Sequence, residues 1–144
     1  MLIYLAGPLS NEAERAFNLR VRAFVQAMGF DTYLPQEDGG LFSELIKHNV
    51  NEDQVRKQLY HIDIDALRRS DAVLAILDGR VPDEGMCFEL GYAVALGRPC
   101  LGFKTDSRSA LRGHDNLMLE CSLRSICRSW AALKCELDQL LEPE

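Results

Sequence analysis

Three acidic side chains, Asp63, Asp83 and Glu89, stand where an acid has chemical use. Glu89 lies inside Met86-Cys87-Phe88-Glu89-Leu90-Gly91-Tyr92-Ala93, among apolar neighbours and near the start of a predicted helix. A carboxylate at a helix N-terminus is held ionised by the macrodipole, the state a nucleophile needs. Asp83 belongs to the polar run Asp78 to Gly85, which directly follows an apolar segment. Asp63 sits next to Ile62, one position off the apolar stripe of another predicted helix. On residue types alone a plainer reading stays open. In it Glu89 caps its helix or pairs with Arg98, and Asp63 lies on a solvated face beside Arg68 or Arg69. For Asp65 the solvated face is the expected reading. His48, His61 and His114 are scattered without metal-ligand spacing, so no metal site is expected.

The elements that must carry these acids follow from hydrophobic periodicity. Leu2 to Ala6 reads as a short buried strand closed by Gly7-Pro8. A helix is predicted from Asn11 to Met28, capped by Ser10 or Asn11, with Ala13, Phe17, Val21, Phe24 and Met28 at helical spacing. Phe30 to Leu34 is a second strand. A short helix is suggested around Leu41 to Ile46, and a longer one spans Glu52 to Arg69 with Val55, Leu59, Ile62, Ala66 and Leu67 on one face. Ala72 to Leu77 is an uninterrupted apolar run, the mark of a central parallel strand covered on both sides. Then come a helix from about Met86 to Leu96, a strand at Cys100 to Phe103, a short strand at Ser125 to Cys127 and a last helix from Trp130 to Leu141. Strand and helix alternate with short connections. The expected fold is therefore α/β, a flavodoxin- or Rossmann-like doubly wound, mostly parallel five-stranded sheet flanked by helices, in a single domain over residues 1–144.

In such a sheet, ligands bind beyond the carboxyl ends of the strands. Three loops meet there: Gly7 to Asn11, Pro35 to Gly40 and Asp78 to Gly85. None carries a GxGxxG or Walker A pattern, so neither a dinucleotide nor a triphosphate cradle is supported. A formal net charge of −6 argues against a nucleic-acid backbone as partner and leaves a neutral small molecule open. Five cysteines without a CxxC pair read as reduced thiols. The first residues lack a basic segment and a long apolar run. A cytoplasmic protein without membrane contact is expected.

Taken together, these segments resemble the nucleoside 2-deoxyribosyltransferase family. Ile3-Tyr4-Leu5-Ala6-Gly7-Pro8-Leu9 is similar to its first strand and turn, and Tyr33-Leu34-Pro35-Gln36-Glu37-Asp38 to its second. The stretch from Ser70-Asp71-Ala72-Val73 through Asp78–Gly85 to Phe88-Glu89-Leu90-Gly91-Tyr92-Ala93 is the most specific. The resemblance implies Glu89 as nucleophile, Asp83 and Asp63 as further catalytic acids, and Tyr4 as the residue that orients Glu89. It implies Gly7, Pro35, Gln36 and Gly85 around the substrate, with Gln36 on the base side. Asn116 and Met118, in Asn116-Leu117-Met118, would complete a neighbouring subunit's site, which implies a homo-oligomer. Ser10 departs from the pattern, since relatives often carry a bulky aromatic there.

The implied activity, one of nucleotide salvage, is exchange of the base of 2′-deoxyribonucleosides with free nucleobases. It would proceed with retention through a covalent deoxyribosyl-glutamate and need no cofactor. The leaving base needs a proton, from Asp63 or from Asp83. A missing 2′-hydroxyl lowers the barrier to the sugar cation, which favours deoxyribose over ribose. The alternative on the same scaffold is a 2′-deoxynucleoside 5′-monophosphate N-glycosidase. It would need a phosphate pocket, whereas Glu12 and Glu14 would repel a phosphate near the first loop. A non-catalytic nucleotide-sensing module is a third reading, and the convergence of Asp63, Asp83 and Glu89 speaks against it.

Overall fold

A computed structural model of the chain describes residues 1–47, 51–108 and 113–141. His48 lies outside the described residues. Five strands, β1 (Leu2–Ala6), β2 (Asp31–Tyr33), β3 (Ala72–Ile76), β4 (Cys100–Phe103) and β5 (Ser125–Cys127), form one sheet in the order β2-β1-β3-β4-β5. Every pairing is parallel, where the sequence suggested mostly parallel. The helices are α1 (Glu12–Ala27), α2 (Phe42–Leu45), α3 (Glu52–Arg69), α4 (Glu84–Ala95), α5 (Leu117–Glu120) and α6 (Trp130–Leu140). A single π-helical turn, Pro35–Gly39, follows β2. The strand order reverses between β1 and β3, and this is where a doubly wound sheet opens a crevice for ligand.

Alternation along the strands divides the core into two layers. Ile3 and Leu5 of β1 face α1 and α6 with Leu74, Ile76 and Phe103. Tyr4 and Ala6 face α3 and α4 with Tyr33, Val73, Ala75 and Leu90. β3 is buried at all its positions, so it reads as a continuous apolar run rather than an alternating one. On α1 the deepest positions are Asn18, Val21 and Val25, while Phe17, Phe24 and Met28 are partly buried and Ala13 is exposed. On α3 they are Val55, Ile64, Ala66 and Leu67. Ile64, absent from the expected stripe, turns inward, and Leu59 is only partly covered.

Helix starts are set by local side chains. Asn11, not Ser10, caps α1. Its side chain accepts from the Glu14 amide at 3.0 Å, and Glu14 returns the bond to the Asn11 amide at 3.2 Å, a full capping box. α4 starts two residues earlier than its apolar pattern suggests, because Asp83 caps it by accepting from the Met86 amide at 2.9 Å. Gly7 is required by close approach. A Cβ there would lie 3.0 Å from the Ile76 Cβ of the neighbouring strand. No described helix is long and apolar enough to cross a membrane.

Asn11→Ala removes one half of the capping box and leaves the Glu14 amide without its acceptor. It should lower stability by about 1 kcal/mol in urea unfolding. An unchanged midpoint would show that α1 is held by packing alone.

Candidate active site

At the carboxyl ends of β1 and β3 a cleft of about 250 Å³ is lined by Gly7, Leu9, Ser10, Asp83, Gly85, Met86 and Glu89. Each reaches it for a local reason. Gly7 to Ser10 is the turn that leaves β1. Asp83 and Gly85 are the cap and first turn of α4. Glu89 is the sixth residue of that helix and points back toward the sheet, while its neighbours Met86 and Leu90 are fully buried. Gly85 also protects the cap, since a Cβ there would stand 3.1 Å from Asp83 Oδ1.

Glu89 neither caps α4 nor pairs with Arg98, whose Nη2 donates to the Arg68 carbonyl at 3.0 Å. Its partner comes from the middle of the sheet. The Tyr4 hydroxyl donates to Glu89 Oε1 at 2.6 Å, and the other oxygen, Oε2, has no partner among the described residues. This placement corrects the idea that the helix dipole keeps Glu89 ionised. Glu89 lies a full turn and more inside α4, beyond the reach of the helix end. Burial pushes its carboxyl up to about 8, against the pull of the Tyr4 hydrogen bond and with the help of Asp63 and Asp83. Tyr4 is fully buried. Burial, and next the negative charge of Glu89, drive its phenol far above the usual range, so it remains a donor.

Asp63 enters from α3. Tyr33, at the end of β2, is in register with Tyr4, and the two rings stack with centroids 5.3 Å apart. The Tyr33 hydroxyl donates to Asp63 Oδ1 at 2.8 Å. Burial raises the Asp63 carboxyl above the ordinary aspartate range, and the Tyr33 bond opposes that rise. Asp63 is close enough for its charge to act on both Tyr4 and Glu89. Asp65, by contrast, is exposed and pairs with Arg68 at 3.2 Å, as its solvated position suggested.

The remaining expected residues are held by contacts that do not include Glu89. Pro35 and Gln36 are buried under the π-helical turn. The Gln36 oxygen accepts from Asn18 Nδ2 at 3.0 Å and its nitrogen donates to the Arg15 carbonyl at 3.2 Å. Asn116 caps α5 by accepting from the Met118 amide at 2.9 Å, and Met118 is 71% exposed. Asn116 faces a separate cleft with Leu77, Val81, Lys104 and Asp115. Residue patterns did not single out Tyr33, Asn18 or Gly39. The buried Lys104–Asp115 ion pair, which anchors the segment before Asn116, was likewise unforeseen. The available signal was Tyr33 at a strand end, in the same layer as Tyr4.

A larger cleft, about 450 Å³, opens on the α1 side of the sheet between Phe17, Ile76 and the loop after β4. Its acids are bound to their neighbours. Asp78 accepts from the Thr105 and Asp106 amides and the Thr105 hydroxyl, and Asp106 pairs with Arg108. It is a cross-loop tie. Among the described residues no group of three His, Cys, Asp or Glu side chains is arranged to hold a metal ion.

Comparison with known proteins identifies the family. The family model for nucleoside 2-deoxyribosyltransferases matches residues 3–127. A nucleoside deoxyribosyltransferase of Limosilactobacillus fermentum is 33% identical over 132 residues, covering 81% of this chain and 73% of that protein. Two solved structures share the fold at lower identity. One is a 2-deoxyribosyltransferase from Bacillus psychrosaccharolyticus (TM-score 0.75, 22% identical, 95% of this chain and 96% of that one). The other is a CMP N-glycosidase from Clostridium botulinum (TM-score 0.59, 18% identical, 98% of this chain and 100% of that one). On the extent of the family match and the identity to the Limosilactobacillus enzyme, the chain belongs to the nucleoside 2-deoxyribosyltransferase family.

Proposed function

We propose that this chain exchanges the base of 2′-deoxyribonucleosides through a covalent deoxyribosyl intermediate on Glu89. The carrying observation is the 2.6 Å bond from Tyr4 to Glu89 Oε1, which orients the carboxylate and leaves Oε2 toward the cleft. In the first half-reaction the C1′–N bond breaks, its electron pair goes to the departing base, and Glu89 Oε2 bonds to C1′. Asp63 gives its proton to the base nitrogen. Asp63 fits that task better than Asp83, because Asp83 Oδ1 is engaged in capping α4 while burial favours the protonated form of Asp63. In the second half-reaction an incoming base attacks C1′ from the face the first one left. Glu89 departs as carboxylate, and Asp63 takes back a proton. Two inversions give retention.

The monophosphate glycosidase reading is disfavoured by the first loop. The amides that a phosphate would need, those of Ser10 and Asn11, both donate to Glu14 Oε2, at 2.9 and 3.2 Å. Arg15 is turned to the Leu9 carbonyl at 2.9 Å. A phosphate would have to displace a carboxylate of its own charge sign. The activity requires no cofactor in this reading. Asn116 is assigned to the site of a second subunit.

Incubating the protein with deoxyinosine and free adenine should yield deoxyadenosine faster than free deoxyribose accumulates. Sugar release at one rate with and without adenine would decide for a hydrolase, and a large preference for deoxynucleoside monophosphates would decide for the glycosidase.

Glu89→Gln should lower kcat by several orders of magnitude while raising stability near pH 8. The folded carboxyl lies above its unfolded value, so its stabilising contribution is complete below about pH 4.5 and is lost as pH rises toward about 8. Thermal unfolding between pH 5 and 9 checks this: the gap in Tm between variant and parent should widen with pH. A parallel pair of curves would mean that Glu89 is not held out of water.

Tyr4→Phe deletes the bond that opposes the rise at Glu89. One limb of the kcat/KM profile should therefore move to higher pH. A profile with both limbs unmoved would show that Glu89 governs neither.

A further inference from the structure

We propose that Tyr33 is the positioning residue for Asp63, and that with Gly39 it fixes which carboxyl oxygen meets the departing base; this rests on the reading of Asp63 as the acid. Three contacts hold the phenol in place. Its ring stacks on Tyr4 with centroids 5.3 Å apart and an interplanar angle of 21°. Its hydroxyl donates to Asp63 Oδ1 at 2.8 Å. Gly39, the last residue of the π-helical turn, lies directly against that bond. A Cβ on Gly39 would stand 2.9 Å from the Tyr33 oxygen and 3.0 Å from Asp63 Oδ1, too close for either to keep its position. The turn thus admits only a glycine at this point if the pair is to stay as it is.

The consequence is a division of labour between the two oxygens of Asp63. Oδ1 accepts from Tyr33, and Oδ2 has no partner among the described residues. The neutral acid therefore carries its proton on Oδ2. As that proton passes to the base nitrogen, and the C1′–N electron pair passes to the base, negative charge appears on the carboxyl and spreads to Oδ1. There the Tyr33 O–H is already in place. Its hydrogen bond is stronger to the developing carboxylate than to the neutral acid, so it stabilises the transition state more than the ground state. Tyr33 keeps its own proton throughout. In the return half-reaction the incoming base gives a proton to Oδ2, and the bond relaxes.

The charges around this pair come from several elements. Tyr4 of β1 and Glu89 of α4 lie beyond the stacked ring, Asp38 of the π-helical turn acts on Tyr33 from one side, and Arg69 at the end of α3 acts from another. The Tyr33–Tyr4 stack joins the acid and the nucleophile in one unit, with the order Asp63, Tyr33, Tyr4, Glu89 running across β2, β1 and the helices above them.

The test compares two substrates over a pH range. Deoxyinosine needs a proton on its leaving base; 7-methyl-2′-deoxyguanosine does not, because its base leaves neutral. Tyr33→Phe keeps the stacked ring and deletes only the hydroxyl. It should lower kcat on deoxyinosine about 10- to 100-fold, the lower range for losing one charge-stabilising donor, with KM little changed and the methylated substrate reduced by less than about threefold. One limb of the deoxyinosine profile should move to higher pH, since the bond that favours ionised Asp63 is gone. Gly39→Ala, which displaces the pair without deleting a group, should reproduce the same selectivity, and it decides the matter if Tyr33→Phe fails to fold by circular dichroism. Asp63→Asn separates the two levels. If Asp63→Asn spares the methylated substrate but Tyr33→Phe and Gly39→Ala impair both substrates equally, or leave both limbs of the pH profile where they were, Tyr33 is only structural. If Asp63→Asn itself impairs both substrates equally, Asp63 is not the acid and the proposal falls with it.

Discussion

A carboxylate held away from water needs a partner, and the choice of partner decides what it can do. Here the partner is a neutral phenol in the middle of the sheet. Tyr4 satisfies one lone pair of Glu89 at 2.6 Å without cancelling its charge. A lysine or arginine in the same place would make the carboxylate a weaker nucleophile, and its positive charge would repel a sugar carbon that becomes cationic in the transition state. The phenol avoids both effects. It must then be rigid, because a hydroxyl on a mobile ring would find water instead. Rigidity comes from the parallel register that sets Tyr4 beside Tyr33 and from a core layer that leaves Tyr4 no exposed surface.

The helices contribute through their first turns. Asp83 ends the loop after β3, caps α4 and brings Gly85 and Glu89 to the cleft in one step. Glu14 does the corresponding work at α1. By accepting from the Ser10 and Asn11 amides it occupies two backbone donors of the first loop that a phosphate would want. Under the proposed function, capping and substrate choice are the same interaction seen from two sides. A chain that needed the phosphate would have to start α1 with some other acceptor.

The strands and most helix limits were legible in the sequence, because apolar runs, capping residues and glycine stops act locally. β1, β4 and β5 fall on the expected residues, and α3 spans the expected range from Glu52 to Arg69. The alternation of strand and helix announced a doubly wound parallel sheet, while the order β2-β1-β3-β4-β5 came from the structure. What failed to show were properties created only by packing. The raised carboxyl of Glu89 depends on how deeply a second-turn residue sinks against β1, and a helix start placed two residues too late made the dipole look decisive. Tyr33 looked like an ordinary strand-end aromatic, since nothing in its neighbours announces Asp63, thirty residues away. Gln36 has a tie that its neighbours in the sequence did not announce: its amide bonds to Asn18 and to the Arg15 carbonyl and fastens the π-helical turn to α1.

The resting site is unfavourable in a way that suits its task. In the proposed exchange, Glu89 must be ionised and Asp63 protonated for the first half-reaction, yet burial raises both, and each charge opposes the other. In the empty cleft, ionising Glu89 has little to recommend it. A bound deoxynucleoside changes that balance as its C1′–N bond stretches. Positive charge grows on the sugar beside Glu89, which favours the carboxylate, while negative charge grows on the base, which draws the proton from Asp63. Both changes run in the direction of the reaction, and both are strongest at the transition state. The two tyrosines add to the effect, since each donates to an oxygen whose charge is largest at that moment. The stability withheld by keeping these acids close and poorly solvated is returned only when the substrate is partly broken, and that difference is what lowers the barrier.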